Sequence, residues 1–327
     1  MRARDTGDAL EDALCIVARH FTNPKDIVTF AALSTGIYHR IRRASQKQRW
    51  SVVVSPRARE AGIERWMSRW PGSVSTVTYK RSVLSPYFAL PACPALTSLA
   101  FWFCRVHPSS LHTFPTTLTS LVLHQVDPGD DPGCLTPRIN ALSSLRSVSI
   151  TCSADWGIAQ FGPLHLSRLR HLELRNPHGT LAINGPVPTT VTTLALHARE
   201  VDIMANAPFP ASLNHVDVRS RDAAFDVETY ITHSLVSLRL ESPGVVFPPD
   251  IPRLESFTCR CDCFYIGRLP DGLTRLDVNV HQCFVCEVIS STSLAHLARI
   301  PHRTLTQRGR QIDLLRYMDQ DQETDAV

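Results

Sequence analysis

Five cysteines crowd two short stretches of the chain. "FTCRCDCFYIG" holds Cys259, Cys261 and Cys263, and "HQCFVCE" holds Cys283 and Cys286. Cys261, Cys263, Cys283 and Cys286 would suit a structural zinc if their thiols were ionised and drawn together. A disulfide, or simple packing of protonated thiols, is the alternative, since buried cysteine behaves as a small hydrophobe. A second constellation is cationic. Arg175, His197 and Arg219 follow one another at steps of 22, and brought side by side they would grip a carboxylate or phosphate. The chain has 14 histidines, but they scatter rather than cluster with carboxylates. It carries no glycine-rich phosphate loop, no H-E-x-x-H and no G-x-S-x-G, so no catalytic motif or cofactor is indicated.

What must position these groups is a repeated phrase. "FPTTLTSLVL" (114–123) recurs as "CPALTSLAF", "LSSLRSVSI", "LSRLRHLEL", "PTTVTTLAL", "PASLNHVDV", "THSLVSLRL", "IPRLESFTC" and "PDGLTRLDV", with a weaker copy in "GSVSTVTY". Apolar residues fall at frame positions 1, 4 and 6. The first positions are Val74, Leu96, Leu118, Leu145, Leu169, Val191, Leu213, Leu235, Leu254 and Leu273, so subtraction gives steps of 22, 22, 27, 24, 22, 22, 22, 19 and 19. Positions 4 and 6 share one face of a short strand, because side chains alternate across it. Position 1 lies where the chain turns into that strand. One coil cannot hide all three, and stacked coils can. Pro94, Pro115, Pro188, Pro210, Pro252 and Pro270 precede the strands, where a residue without an amide donor suits the corner.

This P-x-x-L-x-x-L-x-L frame resembles the leucine-rich-repeat superfamily. Within it, "FPTTLTSLVL" and "LPDGLTRLDV" are similar to FNIP-type repeats. The resemblance implies an α/β fold: a leucine-rich-repeat solenoid with a parallel β-sheet on its concave face. At the place where many such repeats carry an asparagine, His124, Arg175, His197 and Arg219 stand instead. Positions 3, 5 and 7 would line the concave face. That gives candidate partner-binding residues Trp102, His171, Arg175, His197, His215, Arg219, Arg239 and Arg260. The 19-residue offset of the last repeats would set Cys261 beside Val280 and Cys263 beside Gln282.

Residues 1–50 lack the repeat. "DALEDALCIVARHF" has helical apolar spacing, and Asn23 and Pro24 are suited to open a second helix. Pro24, Lys25, Asp26, Ile27, Leu33, Ile37 and Trp50 make this segment resemble an F-box. The resemblance implies that the head docks on a Skp-type adaptor through Pro24, Ile27, Leu33 and Ile37. The repeats would then hold a target protein for a cullin–RING (SCF-type) ubiquitin ligase whose other subunits do the chemistry. The alternative is a stand-alone leucine-rich-repeat scaffold whose head only caps the solenoid.

The expected division is a head at 1–50, a solenoid at 51–300 and a capping helix with acidic tail at 301–327. In the connector, "PRAREAGIERWMSRW" reads as a helix with Ile63, Trp66, Met67 and Trp70 on one packed face. Charge is modest: 34 basic less 30 acidic residues gives +4, which is not a nucleic-acid footprint. No apolar run approaches a membrane span, and ten cysteines without a secretory signal fit a cytosolic or nuclear setting.

Overall fold

A computed structural model describes residues 50–54, 67–68, 72, 74–80, 90, 93–104, 113–126, 135–153, 157–203, 209–223, 233–246, 251–265, 270–285, 299–308 and 310–311. The F-box-like head, with Pro24, Ile27, Leu33 and Ile37, lies outside the described residues. So do most of the connector helix and the helix expected around Leu315. Of the connector, Met67 and Ser68 are helical, and Met67 is fully buried.

The chain divides into two compact units. One comprises residues 1–129 and 141–145, the other 130–140 and 146–327. The first unit contains β1 (Trp50–Val54), β2 (Val74–Lys80), β3 (Ser98–Trp102) and β4 (Ser120–Val126), paired in parallel in that order. Val52 and Val54 of β1 stand opposite Val77 and Tyr79, so β1 is the first rung among the described residues.

The second unit opens with a short helix, α1 (Leu135–Asn140). Then follow β5 (Ser147–Cys152), β6 (Ile158–Phe161), β7 (His171–Ile183), β8 (Thr193–Ile203), β9 (His215–Ser220), β10 (Ser237–Glu241), β11 (Gly244–Val246), β12 (Ser256–Tyr265) and β13 (Arg275–Val285). β14 (His302–Gln307) adds a rung beyond residue 300, and β15 (Arg310–Gln311) folds back on it antiparallel, which covers part of its outer edge. The main ladder runs β5-β7-β8-β9-β10-β12-β13-β14. A second column of strands forms where the rungs bend: β6 beside 180–183 of β7 and 200–203 of β8, and β11 beside 263–265 of β12 and 283–285 of β13.

The repeat frame dictates this arrangement. At every frame residue from Val74 to Val278, positions 1, 4 and 6 are at most 4% exposed. Each such side chain taken from water contributes about 1.5–3 kcal/mol. In the first unit, position 6 is aromatic in two successive rungs: Tyr79 stacks on Phe101 at 5.0 Å, and Phe101 on Phe114 at 5.6 Å. The corner before each strand is a tight turn. The position-1 amide donates to the carbonyl three residues back, as in Leu118 to Pro115, Val191 to Pro188, Leu213 to Pro210 and Leu273 to Pro270. Proline fits because only its carbonyl is used.

Hydroxyls around position 1 tie the rungs together. Thr117, Thr190, Ser212 and Ser234 donate to the position-1 carbonyls of the preceding rungs, Leu96, Leu169, Val191 and Leu213. Thr97, Thr119, Thr192 and Thr274 do the same one step later, to Ser75, Thr97, Arg170 and Glu255. The serines and threonines that flank position 1 are therefore a hydrogen-bonding device.

One buried asparagine stands just past the His and Arg column. Asn176 occupies position 8 of its rung, is fully buried, and donates from Nδ2 to the Thr180 carbonyl at 2.8 Å, bridging the bend of β7. Ser220 and Ser242 fill the same position two and three rungs on. Ser220 Oγ donates to the Ala223 carbonyl at 2.8 Å and accepts from the Val201 amide at 3.3 Å. These buried side chains satisfy main-chain groups that the bend frees.

Candidate functional site

Side chains at positions 3, 5 and 7 leave the core and stand on the open face of each sheet. In the second unit, strand pairing sets Arg175 beside His197, His197 beside Arg219, Arg219 beside Glu241, and Glu241 beside Arg260. The row expected from the 22-residue steps is thus real. What the sequence reading missed is its counter-charge.

Glu173 accepts from Ser149 Oγ at 2.7 Å and from Arg175 Nε at 2.6 Å. Asp217, two strands on in the position-5 column, lies 3.3 Å from His197 Nε2 and 3.1 Å from Arg219 Nη2. Arg239 Nε is 4.0 Å from the same carboxylate, and Arg219 Nε is 4.0 Å from Glu241. Cations and carboxylates therefore interleave. The signal for this was present in Glu173, Asp217 and Glu241, two residues from the cations along each strand or one rung across.

Electrostatics follow the geometry. Burial alone would raise the Asp217 carboxyl, but hydrogen bonds and charge from His197 and Arg219 outweigh it and hold the group at about 2. Glu173 is likewise lowered: burial opposes ionisation, and Ser149 and Arg175 overcome it. The Asp217 hydrogen bond raises Arg219. The ions are thus fixed in place and pre-oriented, which favours discrimination between partners over raw affinity.

The remaining expected residues fall out as follows. His171 and His215 are exposed in the position-3 column, with Thr193 between them. Arg260 is exposed beside Glu241 and lines a cleft of about 210 Å³ with Ser242, Asp262 and His281. Trp102, in the first unit, is 38% exposed and stacks on His124 at 5.0 Å. Phe103, which the sequence reading passed over, is 48% exposed and packs at 4.6 Å on the other side of the bend against His124. Its left-handed backbone (φ 56) turns the ring outward.

The cysteine cluster differs from its expected register. Cys261 pairs with Val280 as expected, but a register shift before Cys263 sets that residue beside Cys283, not Gln282. Cys259 and Cys261 are buried. A hydrogen bond from Cys261, and then burial, push the Cys259 thiol far above its ordinary range, so this position-6 core residue stays a neutral packed thiol. Cys286 lies outside the described residues. Among the described residues, no three His, Cys, Asp or Glu side chains are grouped to hold a metal, and no helix is long and apolar enough to cross a membrane.

No family model matches the chain, and no curated protein matches it. Among solved structures it is similar to that of CroV588, described as a novel circular LRR protein, at 11% identity and a TM-score of 0.21. That likeness covers 79% of this chain, which spans 59% of the other. The assignment of a leucine-rich-repeat-like, parallel-sheet solenoid stack rests on the rungs themselves.

Proposed function

We propose that this chain is a protein-binding scaffold, and that its finer role is to hold a target protein within a cullin–RING (SCF-type) ubiquitin ligase. The observation that carries the scaffold reading is the open sheet face that each unit has for itself. One unit's face offers rigidly spaced, pre-paired ions, and the other's offers outward aromatic rings, Trp102 and Phe103. Exposed aromatics on a stiff backbone are the anchors from which protein interfaces draw most of their energy, and stacked repeats supply the extended surface. The position-7 row, with Arg175, His197, Arg219 and Arg260, is the polar part of that surface. Its interleaved carboxylates select a partner of mixed charge over a uniformly acidic one.

The ligase role is supported by the F-box resemblance of residues 1–50, through Pro24, Ile27, Leu33 and Ile37. Its test is co-purification of the full chain with a Skp-type adaptor and cullin. Stoichiometric recovery is expected. Absence of the adaptor from the eluate, with the protein folded by circular dichroism, leaves the stand-alone scaffold as the reading.

A further inference from the structure

The sheet face is not the only charged surface. At the entry edge of the second unit's strands, Arg146, Arg168 and Arg170 line one cleft of about 460 Å³ together with Ser167, Thr190 and Thr192. Arg146 and Arg170 hold frame position 2 of adjacent rungs, about 4.8 Å apart as neighbouring strands, and Arg168 sits on the turn between them. All three are exposed. Among the described residues no carboxylate lines this cleft, whereas Arg175, Arg199 and Arg219 each contact an acid.

The structure assigns to this cleft the binding of a phosphate monoester carried by a protein partner. Three exposed guanidiniums that line one cleft with no carboxylate among its described lining residues repel one another, and a dianion relieves that repulsion while accepting several charge-assisted hydrogen bonds. The hydroxyl protons of Thr190 and Thr192 are already donated to the Leu169 and Arg170 carbonyls. The guanidiniums and Ser167 are therefore the donors left for a ligand.

The size of the patch argues for one phosphate, not a strand of nucleic acid. Along position 2 the cations stop after two rungs: Thr192, Asn214 and Val236 follow, and then Glu255. A nucleic-acid backbone needs a longer basic track. That the phosphate comes on a protein rests on the scaffold reading above; the phosphate site itself does not.

The test uses the full chain and a fluorescein-labelled phosphoserine peptide with Gly and Ser flanks, read by fluorescence anisotropy. The same unphosphorylated peptide, inorganic phosphate and a single-stranded oligonucleotide are the comparison arms. The phosphopeptide is expected to bind and its twin not to. Both R168Q and the double variant R146Q/R170Q should weaken binding at least about tenfold, with the melting temperature unchanged because the three side chains are exposed. Equal binding by wild type and both variants overturns the site. Inorganic phosphate displacing the peptide at the peptide's own dissociation constant overturns the protein partner in favour of free phosphate. An oligonucleotide that binds as tightly, and is lost in the same variants, overturns it in favour of nucleic acid. Adaptor recovery involves none of these residues, so either result leaves that reading to its own test.

Discussion

The two units follow the same interior pattern and differ at the bend. In the first, frame position 8 is held by Phe103 and Gln125, both in the left-handed region (φ 56 and 60), and Phe103 faces solvent. In the second, position 8 turns inward: Asn176, Ser220, Ser242, Cys261 and Val280 are all buried, and second-column strands follow the bend beside Asn176, Ser242 and Cys261. One frame residue thus decides whether the chain leaves the sheet through a tight left-handed step or folds over a buried side chain, polar in Asn176, Ser220 and Ser242 and apolar in Cys261 and Val280. The interior code at positions 1, 4 and 6 is indifferent to that choice, which is why the open faces were free to diverge into aromatic and ionic versions.

The largest expected effect tests the shared interior. Leu121→Ala in the first unit and Leu194→Ala in the second each empty a fully buried frame position. Each should cost about 2–5 kcal/mol in denaturant unfolding. A cost below about 1 kcal/mol in either unit breaks the equivalence.

Next comes the bend. Asn176→Ala removes the buried amide that bridges to Thr180 and should cost about 1–3 kcal/mol. Gln125→Gly, at the same frame position, should change stability by less than about 1 kcal/mol, because glycine adopts that φ without strain. Similar losses from the two substitutions would mean that the bends are not different in kind.

The ionic face sharpens the contrast through pH. Asp217 titrates at about 2 when folded, below its ordinary 3.8. A lowered carboxyl stabilises the fold fully above its unfolded value, and the contribution is lost as pH falls through the folded one. Melting temperature should therefore drop between about pH 4 and pH 2, and Asp217→Asn should flatten that window. An unchanged slope in the variant would show that the His197 and Arg219 contacts are absent in solution.

The smallest effect on stability belongs to the aromatic face. Trp102→Ala should shift the melting temperature little, since the ring is 38% exposed, while sharply reducing cross-linking of a partner to a photoreactive residue placed at position 100. Undiminished cross-linking would move the anchor elsewhere.

How much of this was legible in the sequence follows from what each feature depends on. The 1-4-6 frame is local, so Leu96 to Leu273 announced the stack and the register of Arg175, His197 and Arg219. The bends are not local. Asn176 was overlooked because its role appears only once the Thr180 carbonyl is seen to turn toward it, and the slip that sets Cys263 beside Cys283 is produced by a bulge that no periodicity records. The β14 rung hid behind Arg303, which takes position 4 opposite Leu276 and is exposed, so the frame lacks its apolar residue there. Ion pairing was hidden for a different reason: Glu173 and Asp217 stand in the position-5 column and the cations they meet in the position-7 column, and spacing alone does not show that the two columns touch.

Site-by-site thiol labelling along β8 tests the account's geometry most directly. Cysteine placed singly at 193 to 198 can be read by mass on the peptide spanning residues 176–199, which has no native cysteine. Fast labelling at 193, 195 and 197 and protection at 194, 196 and 198 is the predicted pattern. Labelling that is uniform, or that repeats every third or fourth residue, would contradict the stacked sheet and remove the face on which the binding role depends.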